Sequence, residues 1–181
     1  IRQSNRELKL FASPWSPPAW MKTNGQMVGG GKLKPECSAV WADYFVKWID
    51  AYKAAGVPLW AVTPQNEPEN AAGWEACVYT ADEEADWIGS ELGPKLQAAH
   101  PEVLILPHDH NKDHVHLWAD TMFSHPTAAK YVSGMAFHWY SGDEFDHVSQ
   151  IHKKYPDAIL LPTEATWEKY RWGPETTVET G

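Results

Sequence analysis

The sequence predicts an α/β fold on parallel strands, an interior portion of a (β/α)8 TIM barrel, on three observations. Short apolar runs alternate with helical patterns along the whole chain. The run at 57–62 is apolar throughout, as a strand covered on both faces by helices must be. Each run ends in polar or aromatic residues rather than in a Gly-rich phosphate turn.

The runs fall at residues 8–12, 59–62, 103–106, 132–137 and 158–161, and each is read as a strand. Between the first two, Trp41, Tyr44, Phe45, Trp48, Ile49 and Tyr52 mark one face of a helix over 38–55 that Gly56 stops. Thr80 and Glu83 have capping-box spacing, and the helix they open carries Trp87, Ile88 and Leu92 before Gly93-Pro94 bends or breaks it. Shorter helices are expected at 114–123 and 144–155. Regular alternation implies right-handed crossovers, which an open doubly wound sheet and a closed barrel both satisfy. Gly29-Gly30-Gly31 lies too far from the first strand to cradle a phosphate and reads as a flexible loop, so the barrel is preferred. Eight units need about 250 residues, so the five runs are expected to be an interior portion of a larger barrel. The start at Ile1 without Met reads as a chain processed or cut from something longer.

Composition narrows the function. The chain has 181 residues, is 43% hydrophobic with eleven Trp, and carries a formal charge of −9. That balance excludes nucleic acid as an expected partner. No apolar run reaches the about 20 residues of a membrane span. Cys37 and Cys77 form no Cys-x-x-Cys pair; a disulfide and two free thiols both remain open.

In a barrel, the residues past the carboxyl ends of the strands form the active site. Those positions hold Ser13, Trp15 and Trp20; Asn66 and Glu67; His108, Asp109, His110 and Asn111; His138, Trp139 and Tyr140; and Thr163, Glu164 and Trp167. Two carboxylates on one rim suit glycoside cleavage, in which one carboxyl protonates the leaving oxygen and the other attacks the anomeric carbon. Glu67 and Glu164 are the candidates, with Glu67 expected to have a raised pKa from burial and its neighbour carboxylate. Asn66 is suited to a sugar 2-hydroxyl. The rim Trp residues offer faces for sugar rings, against the plainer reading that they are packing residues. Glu69, Glu75 and Glu168 lack strand-end placement and read as surface carboxylates. His108, His110, His114 and His116 raise a metal-dependent hydrolase as an alternative, but only His138 offers a further strand-end ligand, so no metal and no cofactor is expected.

The stretches Ser-Pro-Trp-Ser-Pro-Pro-Ala-Trp-Met-Lys-Thr-Asn (13–24), Trp-Ala-Val-Thr-Pro-Gln-Asn-Glu-Pro (60–68), Asp-His-Asn (109–111), Phe-His-Trp-Tyr (137–140) and Thr-Glu-Ala (163–165) resemble glycoside hydrolase family 30, in particular its glucosylceramidase branch. The resemblance implies a retaining β-glycosidase acting on glucosylceramide or a related β-glucoside, with Glu67 as acid/base and Glu164 as nucleophile. It implies substrate contacts from Asn66, Trp20, Asp109, His138 and Tyr140, with Trp15 and Trp167 on the rim. It also implies that the first two strands, the eighth and an accessory β-sandwich lie outside the 181 residues, that a lysosomal or secreted setting applies, and that contact with lipid surfaces is peripheral. Within the family an endo-β-1,6-glucanase or xylanase is the alternative. Outside it stand a metal-dependent amidohydrolase and a non-catalytic carbohydrate-binding remnant.

Overall fold

A computed structural model describes residues 7–166; Trp167 and the residues after it lie outside the described part. Strand β1 (Phe11–Ala12) pairs in parallel with β2 (Ala61–Val62), and β2 with β3 (Leu104–Ile105). A second set, β4 (His108–Asn111), β5 (Gly134–His138) and β6 (Ile159–Glu164), is also parallel in that order. A parallel bridge between Ile105 and Val132 joins the two sets, as do the Ser133 N–H bond to the Ile105 carbonyl (3.0 Å) and the Ala136 N–H bond to the Pro107 carbonyl (3.0 Å).

Residues 108–111, expected to follow a strand, are themselves a strand. The run at 103–106 does not stop at Pro107. It resumes beyond that residue as β4 beside β5, with His108 at φ 78°, Asp109 at φ 47° and a register shift between His108 and His110. Proline gives no ladder N–H, so the pairing must break at that residue. β6 likewise runs past 161 and ends at Glu164.

Helix α1 (Ser38–Ala54) buries Trp41, Ala42, Phe45 and Ile49, whereas Tyr44 and Tyr52 of the expected apolar face are exposed. It ends as expected: Gly56 at φ 78° donates to Lys53 O (3.0 Å) and Val57 N–H to Tyr52 O (2.9 Å), the paired bonds of a glycine-terminated helix. Helix α2 (Ala81–Trp87) opens on the Thr80–Glu83 capping box. Gly93-Pro94 does not break it. A π-helical turn (Ile88–Leu92) widens the spiral ahead of Pro94, and α3 (Gly93–Ala99) continues the path. Proline cannot donate the usual bond and crowds the carbonyl four residues back; the wider turn relieves both problems. Helices α4 (Val115–Ser124) and α5 (Phe145–Lys154) match the expected positions.

The Gly29-Gly30-Gly31 run is a defined turn at φ 73°, tied by the Gly29 N–H to Ala72 O (2.8 Å) and packed on Ala71. Lys22, fully buried, donates through Nζ to the carbonyls of Met27 (3.0 Å) and Ala76, tying the loop after β1 to the loop after β2. Cys37 and Cys77 are both buried and free. No helix among the described residues is long and apolar enough to cross a membrane.

Behind the strand ends lies a buried carboxyl from the helical layer. Glu84 of α2 is fully buried and accepts the His108 N–H at 3.4 Å; burial pushes its pKa up to about 8. A carboxyl whose pKa rises on folding stabilises the fold below its ordinary pKa, and that contribution is lost as pH climbs through about 8. We expect the melting temperature of Glu84→Gln to gain on that of the parent chain between about pH 5 and about pH 9 in thermal scans. A constant difference would show that Glu84 folds ionised. Gly134 gives a second check. A Cβ there would lie 2.0 Å from the Ile159 backbone carbonyl, so Gly134→Ala must part β5 from β6. It should cost about 1–3 kcal/mol in chemical denaturation, as overpacking does; a neutral effect would mean the two strands are further apart.

Candidate active site

Segment 63–67 leaves β2 anchored on three sides. Thr63 Oγ1 donates to Asp109 Oδ2 (2.6 Å). Gln65 Nε2 donates to Trp15 O (2.8 Å), and the Asn66 N–H to Pro14 O (2.9 Å), binding the segment to the loop after β1. The Glu67 N–H donates to Asp109 O (3.0 Å) on β4. Among the described residues, the non-glycine residues with left-handed φ are Glu67 (45°), His108 (78°) and Asp109 (47°), all within this site. Such conformations cost about 1–3 kcal/mol each and persist where surrounding bonds over-determine them.

His138, the last residue of β5, lies between the carboxylates. Its Nδ1 is 3.3 Å from Glu67 Oε1, its Nε2 is 3.1 Å from Asp109 Oδ1, and Nε2 is also 3.9 Å from Glu164 Oε2. Burial works against charge on this ring, but hydrogen bonds to Asp109 and Glu67 and the charges of Asp109 and Glu164 outweigh it, raising its pKa to about 9. Both ring nitrogens then donate, as an imidazolium does.

Asp109 is 1% exposed. Besides the His138 bond, its Oδ1 accepts Thr163 Oγ1 (2.5 Å). Burial pushes its pKa up, yet the donors His138, Thr163 and Thr63 hold it below the ordinary range. Expected as a substrate contact, it lies instead beneath the pair with both carboxylate oxygens engaged. Its influence passes through His138.

Glu67 departs from expectation in the opposite sense. The His138 hydrogen bond lowers its pKa, burial raises it, and the bond from Asn70 Nδ2 to Oε2 (2.8 Å) with the nearby His110 and His138 lowers it further. The net direction is down, because these donors and charges outweigh burial. Glu164 is partly exposed; Tyr140 Oη donates to its Oε1 (2.9 Å) and accepts the Thr166 N–H (2.9 Å). The Tyr140 N–H in turn is bonded to Asn111 Oδ1 (3.0 Å). Asn66 is buried and makes no side-chain hydrogen bond to other described residues. Trp15, Trp20 and Trp139 stand exposed on the rim.

His110, from β4, brings Nδ1 to 3.9 Å from Glu67 Oε1. Glu67, His110 and His138 each offer a ligand atom within 4.8 Å of the others, the one such trio among the described residues with metal-binding spacing. His108 is excluded from that group: burial holds its pKa down to about 3, and its Nε2–H donates to Asn111 O (2.9 Å). His114 pairs with Glu69 outside the site, and His116 stacks on His147. Thr63 and Asn70 were missed from sequence, and Thr163, placed on the rim, was given no role. The available signal was position: Thr63 and Thr163 end their strands beside the carboxylates, and Asn70 is one turn past Glu67.

The arrangement can hold two carboxylates around one imidazolium and present both to a ligand at the strand ends. The family model for the glycosyl hydrolase family 30 TIM-barrel domain matches residues 1–181. Lysosomal acid glucosylceramidase of Mus musculus is 37% identical over 178 residues, 91% of this chain and 34% of that protein. Endo-1,6-beta-D-glucanase of Neurospora crassa is 34% identical over 169 residues, 91% of this chain and 35% of that protein. A solved endo-β1,6-glucanase superposes with TM-score 0.88 at 32% identity, covering 94% of this chain and 40% of its own. The chain thus spans about a third of the length of the curated relatives it matches. With the parallel strands, the carboxylates at their ends and these relatives in agreement, the chain belongs to glycosyl hydrolase family 30, as a portion of its TIM-barrel domain.

Proposed function

We propose that this domain carries the acid/base and the nucleophile of a retaining β-glycosidase, with glucosylceramide or a related β-glucoside as substrate. The observation that carries it is His138, which lies between Glu67 and Glu164 at the ends of different strands. Tyr140 engages Glu164 Oε1, leaving Oε2 as the oxygen free to attack the anomeric carbon. As the new C–O bond forms, the bond to the leaving oxygen breaks, and Glu67 gives that oxygen a proton drawn from its hydrogen bond with His138. In the second step Glu67 removes a proton from water, which displaces Glu164 from the sugar. The carboxylate form held by His138 and Asn70 is the one that this step starts from.

The similarity to glucosylceramidases supports a glucoside of ceramide, and with it a lysosomal or secreted setting and peripheral contact with lipid surfaces. The similarity to endo-1,6-glucanases, with Trp15, Trp20 and Trp139 exposed along the rim, supports a β-1,6-glucan as the second reading.

In the intact protein, a 2-fluoro-2-deoxy-β-glucosyl inactivator should leave one glycosyl label, mapped by peptide mass to Glu164. A label elsewhere would reassign the nucleophile, and none on folded protein would reject glucose or the mechanism. Glu67→Gln should lower kcat/KM by about 10²- to 10⁴-fold, with most of the loss recovered on substrates whose leaving group needs no proton. Equal loss on both substrate kinds would remove Glu67 as the acid. Release of glucose from glucosylceramide, against shortening of β-1,6-glucan, separates the two substrates.

A further inference from the structure

We propose that Glu67, His110 and His138 form a binding site for a single Zn²⁺ ion, and that the ion and the glycoside exclude one another. The exclusion rests on the glycosidase reading; the binding does not. Zinc bonds of about 2.0–2.2 Å put the ligand atoms of a tetrahedron about 3.4 Å apart. Glu67 Oε1 and His138 Nδ1 already stand 3.3 Å apart, His110 Nδ1 is 3.9 Å from the same oxygen, and each of the three residues offers a ligand atom within 4.8 Å of the others. Closing to a common ion asks for side-chain shifts of about an ångström. Two imidazoles and a carboxylate suit zinc better than magnesium or calcium, and three protein ligands leave a fourth position open to water.

Two further observations point to a ligand. His110 Nδ1 is buried and has no hydrogen-bond partner, a state that buried polar atoms rarely adopt without a reason. His138 is held on its far side as zinc-bound histidines are: Asp109, fixed in turn by Thr63 and Thr163, accepts its Nε2–H, while Nδ1, hydrogen-bonded to Glu67 Oε1, lies on the side of the proposed ion. Binding releases the Nδ1 proton of His138 to solvent and engages Glu67 Oε1; no oxidation or reduction is involved. Glu67 then has neither a proton nor a free oxygen at that position for the leaving group.

The test uses the full chain, stripped by chelator and titrated with Co²⁺, whose visible bands report nitrogen and oxygen coordination, followed by displacement with Zn²⁺. One equivalent is expected. Zinc affinity should fall at least about tenfold in His110→Gln and about 10- to 100-fold in Asp109→Asn, which removes the charge behind His138. It should be unchanged in His116→Gln, the control for the stacked His116–His147 pair. Failure of the folded chain to take up either ion, uptake that survives His110→Gln, or uptake lost with His116→Gln would each overturn the site. Circular dichroism checks that His110→Gln is folded, and Glu67→Gln carries the same comparison if it is not. Because binding is read by absorbance, a failed glycosidase reading would leave this result standing, and the reverse also holds.

Discussion

A single buried carboxylate sets the geometry at the strand ends. Asp109 receives Thr63 from the exit of β2, His138 from the end of β5 and Thr163 from β6, while its own backbone carbonyl takes the Glu67 N–H. An uncompensated charge in that position would cost several kcal/mol, so the donors cannot drift away from it singly. The same bonds that make the charge tolerable therefore fix four strand ends relative to one another. The positions of Glu67 and Glu164 follow from that arrangement rather than from any direct contact between them.

The backbone strain tells a consistent story. Glu67, His108 and Asp109 hold conformations that glycine would adopt more cheaply, yet none is glycine. Each has a bond that fixes it: Glu67 N–H to Asp109 O, the His108 ring to Asn111 O, and Asp109 through its donors. Glu84, buried beneath them, braces the His108 N–H from the helical layer. Strain concentrated at the strand ends and supported from behind is what a preorganised site requires, because the side chains must not relax when a ligand arrives.

Local pattern made much of this legible. Apolar runs located the strands, the Thr80–Glu83 spacing located a helix start, and the residues just past the runs included Glu67, His138 and Glu164. What escaped were features whose causes lie far along the chain. Nothing near Pro107 announces that the strand resumes after it, since the partner that rewards the register slip is β5, more than twenty residues on. Glu84 sits in an acidic first turn that reads as solvated, and only the tertiary packing of α2 buries it. The direction of the Glu67 pKa was misread because the neighbouring carboxylate was visible in sequence while the imidazolium between them was not. Asp109 was visible as a residue, but its burial beneath the site depended on threonines from two other strands.

The break at Pro107 also divides responsibility within the domain. Glu67 belongs with the strands before it and Glu164 with those after it, each set keeping its own ladder. The gap between the two carboxylates, the quantity that separates one stereochemical course of glycoside hydrolysis from the other, therefore depends on the bonds that Asp109 makes across the two ladders, to Thr63 on one side and to His138 and Thr163 on the other. A residue inserted or lost between Leu106 and Asp109 would carry Asp109 away from its donors on both ladders together, and Glu67 with it.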